Sequence, residues 1–382
     1  MPILFSRGFR ALCGVHEAAA PVERKIPAPA ETNPCPAVRL GKRASLQVVA
    51  PAQSRRFIDI RPPSVARPPE VLDWDRLGRI LVIASRGSEL ALWQARWVQE
   101  KLAAQGAESR IEVIRTTGDK MAHVPLARSG IKGLFIKEIE EALLEGRADL
   151  AVHSLKDLPT ELPAGLVLAA VPEREDPRDV LVGARLDELK PGARIGTSSL
   201  RRAAQLRSLR PGLAIEPVRG NLDTRVRKLD QDGYHALVLA AAGLKRLGME
   251  SKISEFLSPR QMCPAPGQGA LAIEAREGEA AAARLDHPPS RAAVVAERAL
   301  LSGLGGGCQA PIGAYAEVRG ANLVLQGVVV TPDGRRSARG QVEGDASRPE
   351  ALGCELARRL LEQGGRDIMD MIEAAPSRDP AV

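Results

Sequence analysis

Arg194-Ile195-Gly196-Thr197-Ser198-Ser199-Leu200-Arg201-Arg202 holds the fold in miniature. Arg194-Ile195-Gly196 reads as a short strand. Thr197-Ser198-Ser199 offers hydroxyls suited to capping a helix, and the helix starts at Leu200. Arg201 and Arg202 then sit in its first turn, where cations oppose the helix dipole. That placement is costly unless anions bind at the same helix end.

The same strand, cap and helix recur upstream. Arg79-Ile80-Leu81-Val82-Ile83-Ala84 reads as a buried strand, Ser88 as an N-cap, and Leu90, Trp93, Trp97 and Leu102 as one helix face ending near Gly106. Strands follow at 111–116, 148–153 and 166–171, with a helix over 133–144. A second series has strands at 213–218 and 236–240 and a helix starting at Gly220-Asn221. Alternation of this kind predicts an α/β fold with mostly parallel sheets. The polar, proline-bracketed stretch 172–179 reads as a crossover between two such domains. Residues 264–274 hold a turn and a short strand that returns to the first domain. A helix over 291–304 precedes antiparallel strands within 314–330 and 335–343, with Pro332-Asp333-Gly334 as hairpin turn. A closing helix over 349–363 completes a small α+β unit. The expected domains are 77–173 (returning at 268–288), 177–264 and 291–376.

Residues 1–76 differ from the rest. They are rich in Pro, Ala and Arg, show no persistent amphipathic period, and are expected to be a disordered extension. Of the chain's net charge of +7, they carry +5. Two readings stay open, an organelle transit peptide and a nonfunctional leader. Residues 32–58 lack Asp and Glu, which favours the first, and Glu17, Glu23 and Glu31 speak against it. Ile3-Leu4-Phe5 is too short for a secretory core. The chain is therefore expected in the cytoplasm, or in a plastid or other organelle on the transit reading.

Composition narrows the function. The 3% aromatic content is poor for base stacking, and the folded part is nearly neutral, so nucleic acid is not the expected partner. No apolar run approaches the roughly 20 residues that span a bilayer. The five widely spaced cysteines suggest neither a disulfide framework nor a metal site. No P-loop, dinucleotide turn or HExxH motif is present.

Three features carry chemistry. Between 196 and 228 eight cations face only Glu216 and Asp223. Arg86, Arg201, Arg202, Arg219 and Arg225 fall at strand ends, where α/β proteins bind ligands, and suit a ligand with several carboxylates or phosphates. Arg207, Arg210, Arg227 and Lys228 read as a solvated face. Asp157, in His153-Ser154-Leu155-Lys156-Asp157-Leu158-Pro159, suits the N–H part of a substrate or proton transfer, or else a salt bridge to Lys156. His153 reads as a structural hydrogen bonder. Cys308, behind Gly305-Gly306-Gly307, is either a presented thiol or an incidental small hydrophobe.

Together these stretches resemble the porphobilinogen deaminase (hydroxymethylbilane synthase) family. The matching motifs are Ser85-Arg86-Gly87-Ser88 with Leu90-Ala91-Leu92-Trp93-Gln94, Lys132-Gly133-Leu134-Phe135, and Asp149 through Pro159. Glu173 through Asp179, Gly196 through Arg202, and Arg219-Gly220-Asn221 with Thr224-Arg225 continue it. Ala242 through Leu247, Pro266-Gly267-Gln268-Gly269 and Gly306 through Gly313 complete it. The likeness spans about 79–370 and leaves out 1–76.

The resemblance implies two periplasmic-binding-protein-like α/β domains with the active site between them, plus a small α+β domain carrying a dipyrromethane cofactor on Cys308 through a thioether. It implies head-to-tail condensation of four porphobilinogen molecules with loss of ammonia, then hydrolysis to hydroxymethylbilane. Asp157 would be catalytic. Lys156, Ser199, Arg201, Arg202, Arg219 and Arg225 would hold the cofactor, and Arg86, Ser88, Gln94, Lys132, Arg246 and Gln268 the substrate. No metal is implied. The resemblance further implies a monomer that hands its product to uroporphyrinogen-III synthase. Arg128 stands where lysine is frequent, and Pro172 where some members have cysteine. A non-catalytic binding protein on the same scaffold is the competing reading, and it would need neither Asp157 nor Cys308.

Overall fold

The computed structural model describes residues 79–117, 136–305 and 310–374. The first domain has β1 (Leu81–Ser85), α1 (Glu89–Ala103), β2 (Ser109–Val113), α2 (Lys137–Leu144), β3 (Leu150–Ser154) and β4 (Leu166–Ala170). The second has β5 (Asp179–Gly183), β6 (Arg194–Gly196), α3 (Leu200–Leu209), β7 (Ala214–Glu216), α4 (Leu222–Gln231), β8 (Ala236–Ala240), α5 (Ala241–Arg246) and β9 (Ile253–Leu257). β10 (Leu271–Arg276) follows. The third domain has α6 (Pro288–Gly303), β11 (Ile312–Arg319), β12 (Asn322–Val330), β13 (Ser337–Asp345), α7 (Pro349–Leu360) and α8 (Arg366–Ala374).

Two five-stranded sheets share one plan. The first runs β2-β1-β3-β10-β4 and the second β7-β6-β8-β5-β9. In each, the first three strands are parallel and the fourth is antiparallel to both neighbours. The fourth strand is the one that the chain reaches after crossing over, β5 on the way out and β10 on the way back. Four of the five strands in each sheet therefore run the same way, as the expectation of mostly parallel sheets has it, but the one reversed strand makes two of the four ladders in each sheet antiparallel. β5 gives no strand signal in the sequence because both of its faces are covered, while β10 is the returning strand expected within 264–274. Asp179-Val180-Leu181-Val182 and Leu271-Ala272-Ile273 are buried without alternation.

Apolar side chains fill both faces of each sheet. Leu81, Ile83, Val98, Leu102 and Leu150 pack one side of the first, and Ile139, Leu143 and Ala151 the other. Leu181, Ile195, Leu206 and Val238, then Val180, Leu237, Leu239 and Leu244, do the same in the second. The third domain is the antiparallel meander β11-β12-β13 packed on α6 and α7.

Buried polar groups pin the crossovers. Glu297 of α6 has no exposed side-chain surface. It accepts from Arg174 Nη1 at 2.6 Å, Gly267 N at 2.6 Å and Ala316 N at 2.7 Å, so one carboxylate joins both crossovers to the third domain. Arg174 Nε donates to the Gln268 carbonyl at 2.8 Å. Gly269 has φ +87, and a Cβ there would strike the Glu175 carbonyl of the opposing crossover.

The β12–β13 hairpin reaches across to α3. Gly334, at φ +76, lies so close that a Cβ would come 2.7 Å from the Ala204 carbonyl. Arg207 Nη1 donates to the Pro332 carbonyl at 2.7 Å, and Arg210 to the Leu186 carbonyl at 2.9 Å. These two arginines are therefore not a solvated face. They satisfy loop carbonyls that face α3.

Candidate active site

The site is built where parallel strands end. After β1, Arg86-Gly87-Ser88 leads into α1, and Ser88 Oγ accepts from Ala91 N. After β3, Leu155–Asp157 makes one 3₁₀ turn, stopped ahead of Pro159. Leu155 and Leu158 are buried on either side, which leaves Lys156 half-buried and Asp157 exposed towards the cleft. After β6, Ser199 caps α3 by accepting from Arg202 N. After β7, Gly220 takes φ +111 before α4. β8 runs directly into α5 and brings Arg246.

Two adjoining cavities occupy this space. The larger, ≈ 180 Å³, is lined among others by Lys156, Asp157, Arg202, Asn221, Arg225 and Arg246. The smaller, ≈ 100 Å³, is lined by Arg86, Ser88, Gln94, His153 and Asp157. Leu90, Ser154 and Asp157 belong to both. Gln94 Nε2 donates to Ser154 Oγ at 2.8 Å, which steadies the shared wall.

The larger cavity holds more positive charge than its own carboxylate balances. Burial pushes the Lys156 ammonium down to about 8, with Arg202 and Arg201 adding to it against Asp157 and Asp179. Burial holds Arg246 down at about 10, against the opposing charge of Glu175. Burial, and then Arg202, lowers Arg225 despite Asp157. Each of these cations gains when a carboxylate enters.

Arg202 and Arg201 have different surroundings. Arg202 lines the cavity, and its Nε donates to Asp179 Oδ1 at 2.9 Å while Nη1 donates to the Val238 carbonyl at 3.1 Å. Arg201 lines neither cavity. Its Nη1 donates to Asp179 Oδ2 at 2.7 Å and to the Cys263 carbonyl. Burial pushes the Asp179 carboxyl up, but the two guanidinium groups outweigh it and hold it at about 2. Gln268, wholly buried, donates to Asp179 Oδ1 at 2.9 Å and the Pro177 carbonyl at 2.7 Å.

Of the expected residues, the larger cavity gathers Lys156, Asp157, Arg202, Arg225 and Arg246, and the smaller gathers Arg86, Ser88 and Gln94. Ser199, Arg201 and Gln268 stand behind them. Arg219 is exposed beside Gly220 and lines neither cavity. Lys132, Arg128 and Cys308 lie outside the described residues. Asp179 was not picked out as a site residue. Its signal was a carboxylate heading the apolar run Val180-Leu181-Val182.

The family model described as porphobilinogen deaminase, dipyromethane cofactor binding domain, matches residues 81–284. The model for the porphobilinogen deaminase C-terminal domain matches residues 292–362. The porphobilinogen deaminase of Thermus thermophilus is 51% identical over 304 residues, covering 77% of this chain and 99% of the relative. That of Thiobacillus denitrificans is 50% identical over 303 residues, with the same coverage. That of Desulforudis audaxviator is 52% identical over 305 residues, 78% of this chain and 99% of the relative. Among solved structures, the extracytoplasmic solute receptor DctP7 of Bordetella pertussis aligns with 77% of this chain and 85% of its own, at 11% identity and a TM-score of 0.30.

Proposed function

The chain belongs to the porphobilinogen deaminase family, and from that premise we propose how its residues divide the work of making hydroxymethylbilane. The activity is that of a hydroxymethylbilane synthase, a transferase of tetrapyrrole synthesis that uses a dipyrromethane cofactor. Four porphobilinogen molecules are joined head to tail with release of ammonia, and water then frees the product.

The residues present fit that cofactor. Acetate and propionate arms on each pyrrole call for several cations, and ring N–H groups call for one acceptor. The larger cavity has Lys156, Arg202, Arg225 and Arg246 for the first and Asp157 for the second. When bound through Cys308, the dipyrromethane supplies the ring α-carbon at which substrate units are added.

The chain's own groups do the rest. In this proposal Lys156, Arg202, Arg225 and Arg246 pair with carboxylates, with Arg219 reaching in from the rim. Ser199 and Arg201 fix the start of α3 and the aim of Arg202. Gln268 holds the carboxylate that orients both arginines. On the other side Arg86, Ser88 and Gln94, with Lys132, hold the incoming carboxylates. Asp157, on the wall between, accepts from pyrrole N–H groups, stabilises positive charge on the rings and moves protons. The observation that carries the proposal is the place of Asp157 on both cavities, beside cations that burial has weakened.

Intact mass tests the anchor. The expected result is a dipyrromethane adduct on the parent protein and none on Cys308→Ala. An active parent of unmodified mass would overturn it. The proposal extends to a monomer that works in the cytoplasm and passes its product to uroporphyrinogen-III synthase. Light scattering on the purified chain tests the first part, and a stable dimer would refute it.

A further inference from the structure

His153 lines the smaller cavity, and its Nε2 lies 3.0 Å from Glu274 Oε2. β3 and β10 are antiparallel, with His153 opposite Ala272 and Glu274 opposite Ala151, so the two side chains meet diagonally across the ladder. Glu274 has no exposure, and its Oε1 is buried without a hydrogen-bond partner among the described residues. A carboxylate withdrawn from water with one oxygen unmet is costly unless a proton or a cation comes to it. Glu140 of α2 is half-buried and feels the charges of both Glu274 and His153. Burial first, and then the charges of Glu274 and Glu141 against that of His153, push its carboxyl up to about 7. Among the described residues no group of His, Cys, Asp or Glu could hold a metal ion, so these three are not a metal centre.

We propose that His153, Glu274 and Glu140 form a proton relay from the substrate-side cavity towards solvent, with His153 as its inner end. The proposal rests on the reading of the cavities at Asp157 as the place of condensation. Each condensation forms one C–C bond and breaks one C–N bond. Ammonia departs with the bonding pair, and one proton is displaced from the ring carbon that is joined. The ammonia comes from the protonated aminomethyl group and leaves as such. The displaced proton leaves by the relay, and the two sum to ammonium in solvent, so no oxidant or reductant is needed. The imidazole takes up the displaced proton, and Glu274 balances the charge that results. Glu140, half-buried where the other two are buried, passes the proton on.

Glu274→Gln tests this, since it keeps size and hydrogen bonding but removes the charge. With the cofactor still present by mass, kcat is expected to fall about tenfold or more with KM within about twofold. The acid limb of the kcat–pH profile should also move to lower pH. Apart from turnover, ¹⁵N NMR of imidazole-labelled enzyme, assigned with His153→Asn, should show the His153 ring titrating differently in Glu274→Gln. An unchanged ring titration and a kcat profile superimposable on the parent's would overturn the relay. If Glu274→Gln does not fold, Glu140→Gln at the outer end is judged by the same profile. Asp157→Ala separates the two levels. Full turnover there sinks the underlying site, whereas a parent-like Glu274→Gln beside an inactive Asp157→Ala sinks only the relay.

Discussion

Arg202 faces the larger cavity with Asp179 at its back, at an Nε–Oδ1 distance of 2.9 Å, and the carboxylate has no exposed surface. Breaking such a pair from one side leaves buried charge uncompensated, which costs about 3–5 kcal/mol. Asp179→Ala leaves two arginines in that state, so a large fall in denaturant midpoint is expected, together with loss of cofactor retention by mass. The pH dependence has a definite sign. The carboxyl is held below its unfolded value of 3.8, at about 2. Its stabilisation, about 2 kcal/mol, is therefore full above pH 3.8 and lost as pH falls through 2. Arg201→Met and Arg202→Met should both lower Tm. In protein that remains folded, Arg202→Met, which removes the cavity-lining cation itself, should weaken ligand binding more than Arg201→Met, which only disturbs its aim.

Lys156 makes binding depend on pH. Burial holds its ammonium at about 8, below the usual 10.5, and an entering carboxylate restores the charge. Between those values, binding must take up a proton. Calorimetry of porphobilinogen on Cys308→Ala protein should show affinity falling by up to about tenfold per pH unit above pH 8. Lys156→Met should bind more weakly at pH 7 and lose this component of the pH slope. A parent affinity that is flat from pH 7 to 9 would contradict the assignment.

Asp157 is exposed and makes no contact on which the core depends, so its replacement separates chemistry from folding. Asp157→Ala is expected to unfold within about 0.5 kcal/mol of the parent. It should lose about two to four orders of magnitude in kcat. Circular dichroism against denaturant and a single-turnover assay check the two halves.

Gly334 is tested by size. Its φ of +76 and the proximity of the Ala204 carbonyl leave no room for a side chain. Gly334→Val should cost about 2 kcal/mol or more. Because Ala204 lies in the same helix as Arg202, whose N-cap is Ser199, the loss should also appear as weaker anion binding at the start of α3. Equal Tm values for Gly334→Val and the parent would refute the close approach.

Much of the fold was legible because its signals are local. Ser88 and Ser199 announce their helices, and Gly220 and Gly334 their turns. The site was legible because the arginines cluster at strand ends. What stayed hidden needs partners distant in sequence. β5 shows no alternation because both of its faces are covered. Asp179 meets Gln268 across 89 residues, and His153 meets Glu274 across 121. A lone buried carboxylate carries no mark of its partner until the sheets are assembled.

The exchange of fourth strands also constrains the order of folding. β4 pairs with β10 and not with β3, so the edge of the first sheet has no neighbour until residues 271–276 have been made. The second sheet draws all its strands from 179–257 and is complete before then. The inner domain is thus expected to close first and the outer to be finished around it, since long-range pairing waits on loop closure. Pulse-labelled hydrogen exchange during refolding would show protection at Val180 and Leu239 ahead of Leu168. The reverse order would exclude this route. The part of the enzyme made first would then be the last to settle, with the arginine-bearing half already in place to receive it.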